Sequence, residues 1–353
     1  MSARHIDFAV FGASPQARLI AGLLASVHKK AVLFQGESQS GYRLPRGIDL
    51  SVAPLTRPES WAMLAKLTRE THKLLNRIGG RGAVSRVDPI FHASMREGIE
   101  ALGHVSHMAQ AFAFSAERVR PNVLEEGQQG VLFRDALLLH RASLEPVLDR
   151  WLGSLGVARV EMDAPLVLKP DGNAVVVEDD QGYEIAQTVL ADDGAIITHL
   201  SPEIWPGIIT AQTASTVLTE AGKPLPSRLM YQLDTGVVLS GQARAGLVAL
   251  GPGTIEQVGQ AVAAGLGTQR IRQVGQSSYQ RIVAADGAPV VGRVGGTGPD
   301  LIAGLGLSGA FFAPAIARWL AGTAGEEENN WFAARLVDRD PAHSSVAEWG
   351  DPL

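Results

Sequence analysis

Two glycine-bearing turns, each running straight into an apolar helical stretch, are where this backbone could do chemistry. One is GASPQA, residues 12–17; the other is GLGLSGA, residues 304–310. The first N–H groups of a helix have no partner inside it and point outward. With the helix dipole they attract a negative or electron-rich ligand, by ~0.3–2 kcal/mol depending on burial. Inside a helix each glycine costs about 1 kcal/mol against alanine. Gly304, Gly306 and Gly309 instead sit just before and at a helix start, where they permit a ligand to come close to the backbone. The alternative is a glycine-rich packing loop.

In the first turn the spaced small residues are Gly12, Ser14 and Ala17, with Ala13 and Gln16 between them. A dinucleotide loop uses its first glycine for a tight turn and its second for pyrophosphate approach. Its third allows close helix–strand packing. Only the first is glycine here, so residues 12–17 read either as such a loop or as a plain βα turn. The acid that would take a ribose at the end of the second strand is Gln35, which can hydrogen-bond without charge assistance. Glu37 stands two residues on. Arg43 and Arg46 could meet phosphate or adenine, or lie in a solvated loop.

These turns need elements to hold them. IDFAVF, residues 6–11, has the apolar run of a buried strand. Pro15 suits a first helical turn, and Leu19, Ile20, Leu23, Leu24 and Val27 recur at helical spacing. Residues 31–35 form a second strand. This strand–helix–strand unit predicts a parallel start. Helices are expected over 54–78, 92–114 and 144–155. A meander with turns at PDGN and DDQG leads to a strand ending at Gly194. Long antiparallel strands are expected over 230–250 and a helix over 251–267. The polar tail from Glu326 is expected to be anchored by Trp331 and Phe332, with 326–328 as a solvated turn.

The chain has 353 residues and a net charge of -5, which gives no basic field for nucleic acid. It has no cysteine. That excludes disulfides, thiolate metal sites and a cysteine nucleophile, and fits a reducing, cytoplasmic setting. The apolar N-terminal stretch is interrupted by Asp7, Pro15, Gln16 and Arg18, unlike a signal peptide. No uncharged apolar stretch reaches 18 residues, so no membrane span is expected. His104 and His107 have a ligand-like spacing without an evident third partner, and no metal is expected. Neither a nucleophile elbow nor a P-loop occurs.

The carboxyl-terminal block carries Arg281, Asp286–Gly287, Pro289 and Gly292. Then come Gly304-Leu305-Gly306, Ser308-Gly309 and Ala313-Pro314. In order and spacing it resembles the end of the D-amino-acid-oxidase-like superfamily of FAD-dependent oxidoreductases, of the glycine, sarcosine or D-amino acid oxidase type. Leu305 stands where the family often has His, and Ile282 where a Pro often follows the Arg. The resemblance implies an α/β, two-lobed flavoprotein. A Rossmann-like FAD lobe would comprise 1–85, 132–205 and 280–353. A substrate lobe with a mixed or antiparallel sheet would comprise 86–131 and 206–279.

The resemblance further implies noncovalent FAD held by Gly12, Ala13, Ser14, Gln16, Gln35 and Gly194. Gly304, Gly306, Leu307, Ser308, Gly309 and Ala310 would pass close to the flavin ring. It implies Arg281 in the catalytic site, gripping a substrate carboxylate with a planar guanidinium and so orienting the substrate for hydride transfer. The substrate would be a small amine or amino acid. Asp192-Asp193-Gly194 resembles the Asp-Gly turn of flavin hydroxylases, or closes a strand at the FAD lobe. The altered fingerprint keeps two other readings open: a noncatalytic or degenerate subunit of the same fold working through a partner protein or as a homo-oligomer, and a flavin-dependent hydroxylase.

Overall fold

The computed structural model describes residues 4–37, 44–161, 164, 166–178, 181–222, 224–242, 246–266 and 272–348. Arg43, Gly267 and part of the DDQG turn lie outside the described residues.

The first sheet grows from the strand Arg4–Phe11. It is parallel to Gln181–Leu190 on one side and to Val32–Gln35 on the other. Parallel neighbours need a crossover, and the helix Pro15–Ser26 supplies it between the first two strands. Asp300–Ala303 joins Gln181–Leu190, again parallel, and carries Val290–Arg293 antiparallel beside it. The pair Leu166–Leu168 and Ala174–Glu178 forms one edge and Ala158–Arg159 the other.

Side chains along a strand alternate between faces. Phe8 and Val10 pack with the helices Pro15–Ser26, Pro58–Arg77, Arg141–Ser154 and Gly309–Leu320. Ala9 and Phe11 face a second cluster with Ile185, Ile196 and Ile282. Both faces of the parallel strands are covered, which explains why Arg4–Phe11 reads as an apolar run rather than an alternation.

The second sheet is mostly antiparallel, in the order Gln273–Ala284, Ile209–Thr219, Leu247–Pro252, Val237–Gly241, Leu229–Gln232, Ile90–Ala93, Gln129–Phe133 and Ala116–Arg118. Only Leu229–Gln232 and Ile90–Ala93 pair in parallel. A small third sheet joins Asp49–Leu50, Ala136–Leu139 and Val84–Val87. The mixed α/β class expected from the sequence is the class found.

Four local expectations are corrected. Residues 92–114 are not one helix: His92 ends in the strand Ile90–Ala93, and the helix is Arg96–Ala111. Asp234 Oδ2 separates them by accepting the Ser94 and Met95 amides at 2.6 and 3.2 Å. The strand expected to reach Gly194 stops at Leu190, because Asp192 N-caps a short helix, Asp193–His199, through the Ala195 amide at 3.0 Å. The long strands expected over 230–250 are three shorter ones. Residues 326–328 open the helix Glu326–Ala333, where acids suit the dipole. There Glu328 is buried and takes Arg318 with both oxygens, at 2.7 and 2.9 Å. Trp331 and Phe332 are buried anchors, as expected.

Among the described residues, no helix is long and apolar enough to cross a membrane.

Candidate cofactor and active site

Open parallel sheets collect ligands at the carboxyl ends of their strands. Four such ends lie side by side here. The strand Asp300–Ala303 runs into Gly304, Gln181–Leu190 into Ala191 and Asp192, Arg4–Phe11 into Gly12, and Val32–Gln35 into Gly36.

Several side chains hold these ends together. Gln16 donates its Nε2 to the Ala191 carbonyl at 2.8 Å. Its Oε1 lies 2.1 Å from where a Cβ on Gly309 would stand. One buried glutamine thus links the first helix, the end of the central strand and the start of the last apolar helix. Arg18, fully buried, spans the two neighbouring turns: Nη1 donates to the Ala13 carbonyl and Nη2 to the Glu37 carbonyl at 3.2 Å. Asp149 Oδ1 balances its charge at 3.0 Å, and its guanidinium lies over the Phe34 ring. Gly36 presses against the first turn, with an imagined Cβ only 2.1 Å from the Gly12 carbonyl oxygen.

The sequence-predicted cofactor residues fall around this line of strand ends. Ser14 caps its helix by accepting the Ala17 amide on Oγ at 3.3 Å, while its own N–H donates to Asp192 Oδ2 at 2.9 Å. Gln35 is buried and donates Nε2 to the Glu161 carbonyl at 2.5 Å; its Oε1 has no partner among the described residues. That leaves an acceptor open to a hydroxyl. Gly194 lies exposed in the first turn of its helix. Gly304 and Gly306 have φ of 71° and 51°, which favour glycine, and both are exposed. Nothing lies within 4 Å of a Cβ placed on Gly306. No side chain caps the helix Gly309–Leu320 that follows. Ala310 is buried under it, Ser308 donates to the Leu305 carbonyl at 3.1 Å, and Leu307 is turned into the core with Leu50 and Trp61. Backbone rather than side chains faces the open room at residues 304–306.

Arg281 lies on Gln273–Ala284, opposite Gln212 in the register, and donates Nε to Gln212 Oε1 at 3.0 Å, with Nη2 on the same oxygen. Asp193 approaches from the helix Asp193–His199. Burial pushes its carboxyl up to about 7; the Ile282 amide opposes this, the Asp192 charge adds to it and the Arg281 charge opposes it. Tyr279, two residues before Arg281 and so on the same face, is partly buried against Thr216. Burial pushes its hydroxyl pKa upward, and Arg46 stands 5.7 Å from its ring centroid. Deeper in, burial works against the charge of Arg141, but Asp49 holds it, with Nε to Oδ2 at 2.6 Å.

The raised Asp193 value has a consequence for stability. Below about 4 both folded and unfolded chains carry the proton. Between about 4 and about 7 the folded chain keeps it and the unfolded chain loses it, so stability falls as pH rises through that window. Asp193→Asn is expected to flatten the melting temperature across this range and to melt a few degrees above the parent at pH 8. A pH series of thermal melts checks it, and equal slopes would refute the assignment.

Sequence reading did not find Gly36, Arg18, Arg141, Asp49 or Gln212. Tyr279 had only a weak signal, its two-residue spacing from Arg281, on a strand the sequence reading did not place. His104 Nε2 is hydrogen-bonded to the Thr56 carbonyl at 2.7 Å. Among the described residues, no group of three His, Asp or Glu could hold a metal.

No family model matches the sequence, and no curated protein matches it. Solved structures do match the fold. Glycine oxidase from Geobacillus kaustophilus superposes with a TM-score of 0.69 at 14% identity, over 94% of this chain and 98% of its own. L-proline dehydrogenase from P. horikoshii gives 0.70 at 14%, over 94% and 97%. Iminodiacetate oxidase from Chelativorans sp. BNC1 gives 0.66 at 18%, over 90% and 94%. The fold of this chain is therefore the amino-acid-oxidase fold that its carboxyl-terminal block resembles.

Proposed function

We propose that this chain, folded as those oxidases and dehydrogenases are, is an FAD-dependent oxidoreductase that oxidises the C–N bond of an amine or amino acid. The observation that carries this reading is the convergence of the four strand ends, with Arg281 and Tyr279 standing beside the turn that holds Asp193.

The donor set suits the group at both ends. Gln35, whose Oε1 has no partner among the described residues, would take a ribose hydroxyl. Gly12, Ala13, Ser14 and Gln16 would frame the phosphates. Gly194, the open backbone at Gly304 and Gly306, and the helix start from Leu307 to Ala310 would border the ring. The hold would be noncovalent as regards thioethers, since the chain has no cysteine. Bound there, FAD supplies the two-electron acceptor for amine oxidation.

The chain's own residues would bind and orient. Arg281 would exchange its Gln212 contact for a substrate carboxylate, gripped by two parallel N–H donors. This fixes the carbon that loses hydride, and the gain comes from orientation. Asp193, protonated below about 7, leaves the Arg281 charge to the substrate; once ionised it competes for it. We assign the FAD lobe to 1–85, 132–205 and 280–353, and the substrate lobe to 86–131 and 206–279. The boundary at 280 falls within the strand Gln273–Ala284, so one strand would serve both. The cysteine-free composition suits a cytoplasmic enzyme.

A second reading is favoured by one observation: Ser14 already gives its N–H to Asp192. A degenerate subunit of this fold, acting through a partner protein, would show the same contact. The test is to supply FAD, remove the excess and record the visible spectrum. The enzyme reading expects near one FAD per chain, bleached anaerobically by an amino acid or amine. A colourless protein refutes it. Bleaching only by NAD(P)H would instead make the chain a hydroxylase.

A further inference from the structure

We propose that Asp192 is a built-in competitor for the phosphates of the cofactor, an inference that rests on the FAD reading above. Its carboxylate bridges two helix starts. Oδ2 accepts the Ser14 amide at 2.9 Å and Oδ1 accepts the Ala195 amide at 3.0 Å. Ser14 occupies the second fingerprint position, the one whose backbone a pyrophosphate approaches. The carboxylate is pressed against the turn itself: a Cβ on Gly12 would stand 2.7 Å from Oδ2 and 2.8 Å from the Ala17 Cβ. An internal anion therefore holds an amide at the start of the helix Pro15–Ser26 that an external anion would use.

Charge sets the direction of the effect. A phosphate arriving at Ser14 must displace Asp192 Oδ2 or lie beside it, and two negative groups at that range repel. The nearby cation is divided in the same way: Arg141 is held by Asp49 and lies in the field of Asp192. Removing the Asp192 charge frees the Ser14 amide and leaves the Arg141 field less opposed. An asparagine has nearly the same shape and keeps one acceptor oxygen for the Ala195 amide. A serine also caps well.

The experiment measures FAD and riboflavin dissociation constants for the purified full chain, by quenching of flavin fluorescence. It compares the parent with Asp192→Asn and Asp192→Ser, and thermal melts confirm that each is folded. The expected result is FAD bound roughly tenfold or more tighter by both variants, with riboflavin, which lacks phosphate, bound equally by all three. FAD bound by the variants but not by the parent would refute the enzyme reading of the parent and still support the competition, since only removal of the Asp192 charge would have opened the site. FAD bound equally or more weakly by the variants than by a binding parent overturns it and leaves the FAD reading standing. FAD refused by all three overturns both. Tightening of riboflavin to the same degree as FAD also overturns it, because the effect would not lie at the phosphates.

Discussion

Replacing Gly36 with alanine is expected to abolish retention of FAD while the chain stays folded. The added methyl group would stand 2.1 Å from the Gly12 carbonyl oxygen and 2.6 Å from the Phe34 ring. The first neighbour is backbone, so no rotamer change relieves it. The Gly12 turn must move by about an ångström, and a misplacement of that size can cost about a hundredfold where geometry decides binding or rate. The Gly12 amide bond to the Gln35 carbonyl, 3.0 Å, joins the same two turns and would be strained with them. Overpacking of this kind costs ~1–3 kcal/mol in stability, which a large α/β fold survives. The measurement is FAD content after gel filtration, with circular dichroism as the control for folding. Gly309→Ala is the contrast. Its Cβ meets Gln16 Oε1, the end of a side chain rather than backbone, so the clash is milder, at the expense of the Gln16 link to Ala191. Retention of one FAD per chain by Gly36→Ala would mean that the cofactor does not lie on this turn.

Arg281→Ala is expected to raise KM for a carboxylate-bearing substrate by roughly 100-fold or more, with bound flavin unchanged. Truncating one partner of a buried, hydrogen-bonded charge pair costs ~2–5 kcal/mol, and each 1.4 kcal/mol is about tenfold. An amine lacking a carboxylate should respond little. Arg281→Lys restores the charge without the planar fork and should recover only part of the loss. Steady-state kinetics on a matched amino acid and amine separate the cases. Equal kinetics of parent and Arg281→Ala on the amino acid would remove Arg281 from the substrate site.

What could be read from the chain depended on how local its cause was. Apolar periodicity located Arg4–Phe11 and Pro15–Ser26 to within a few residues, because those patterns are repeated every turn or pleat. Glycines marked the turns at Gly12 and Gly304 for the same reason. The errors came where a distant side chain decides a local boundary. Asp234 splits the segment 92–114 from 139 residues away. The Ser14–Asp192 contact spans 178 residues. Gly36 looks like an ordinary loop glycine until the Gly12 carbonyl is seen beside it. Arg141 and Asp49 are separated by 92 residues and meet through the third sheet. Tyr279 was within reach of a two-residue rule applied from Arg281, but a lone tyrosine on an unplaced strand gives no reason to apply it.

The Gln16 contact has a consequence for how the protein is made. Synthesis runs from the amino end, so the strand Arg4–Phe11 and the helix Pro15–Ser26 leave the ribosome long before Asp300–Ala303 and Gly309–Leu320. Until then Gln16 has no Gly309 to lie against, and the apolar faces of Leu19, Leu23, Phe8 and Val10 lack part of their cover, including Phe312 and Ile316. A nascent chain of this architecture carries an unfinished, sticky half-core through most of its translation. The line of strand ends described above is complete only as Asp300–Ala303 and Gly309–Leu320 emerge. Termination before the helix Gly309–Leu320 is complete would thus yield not a shorter working protein but a substrate for chaperones and proteases.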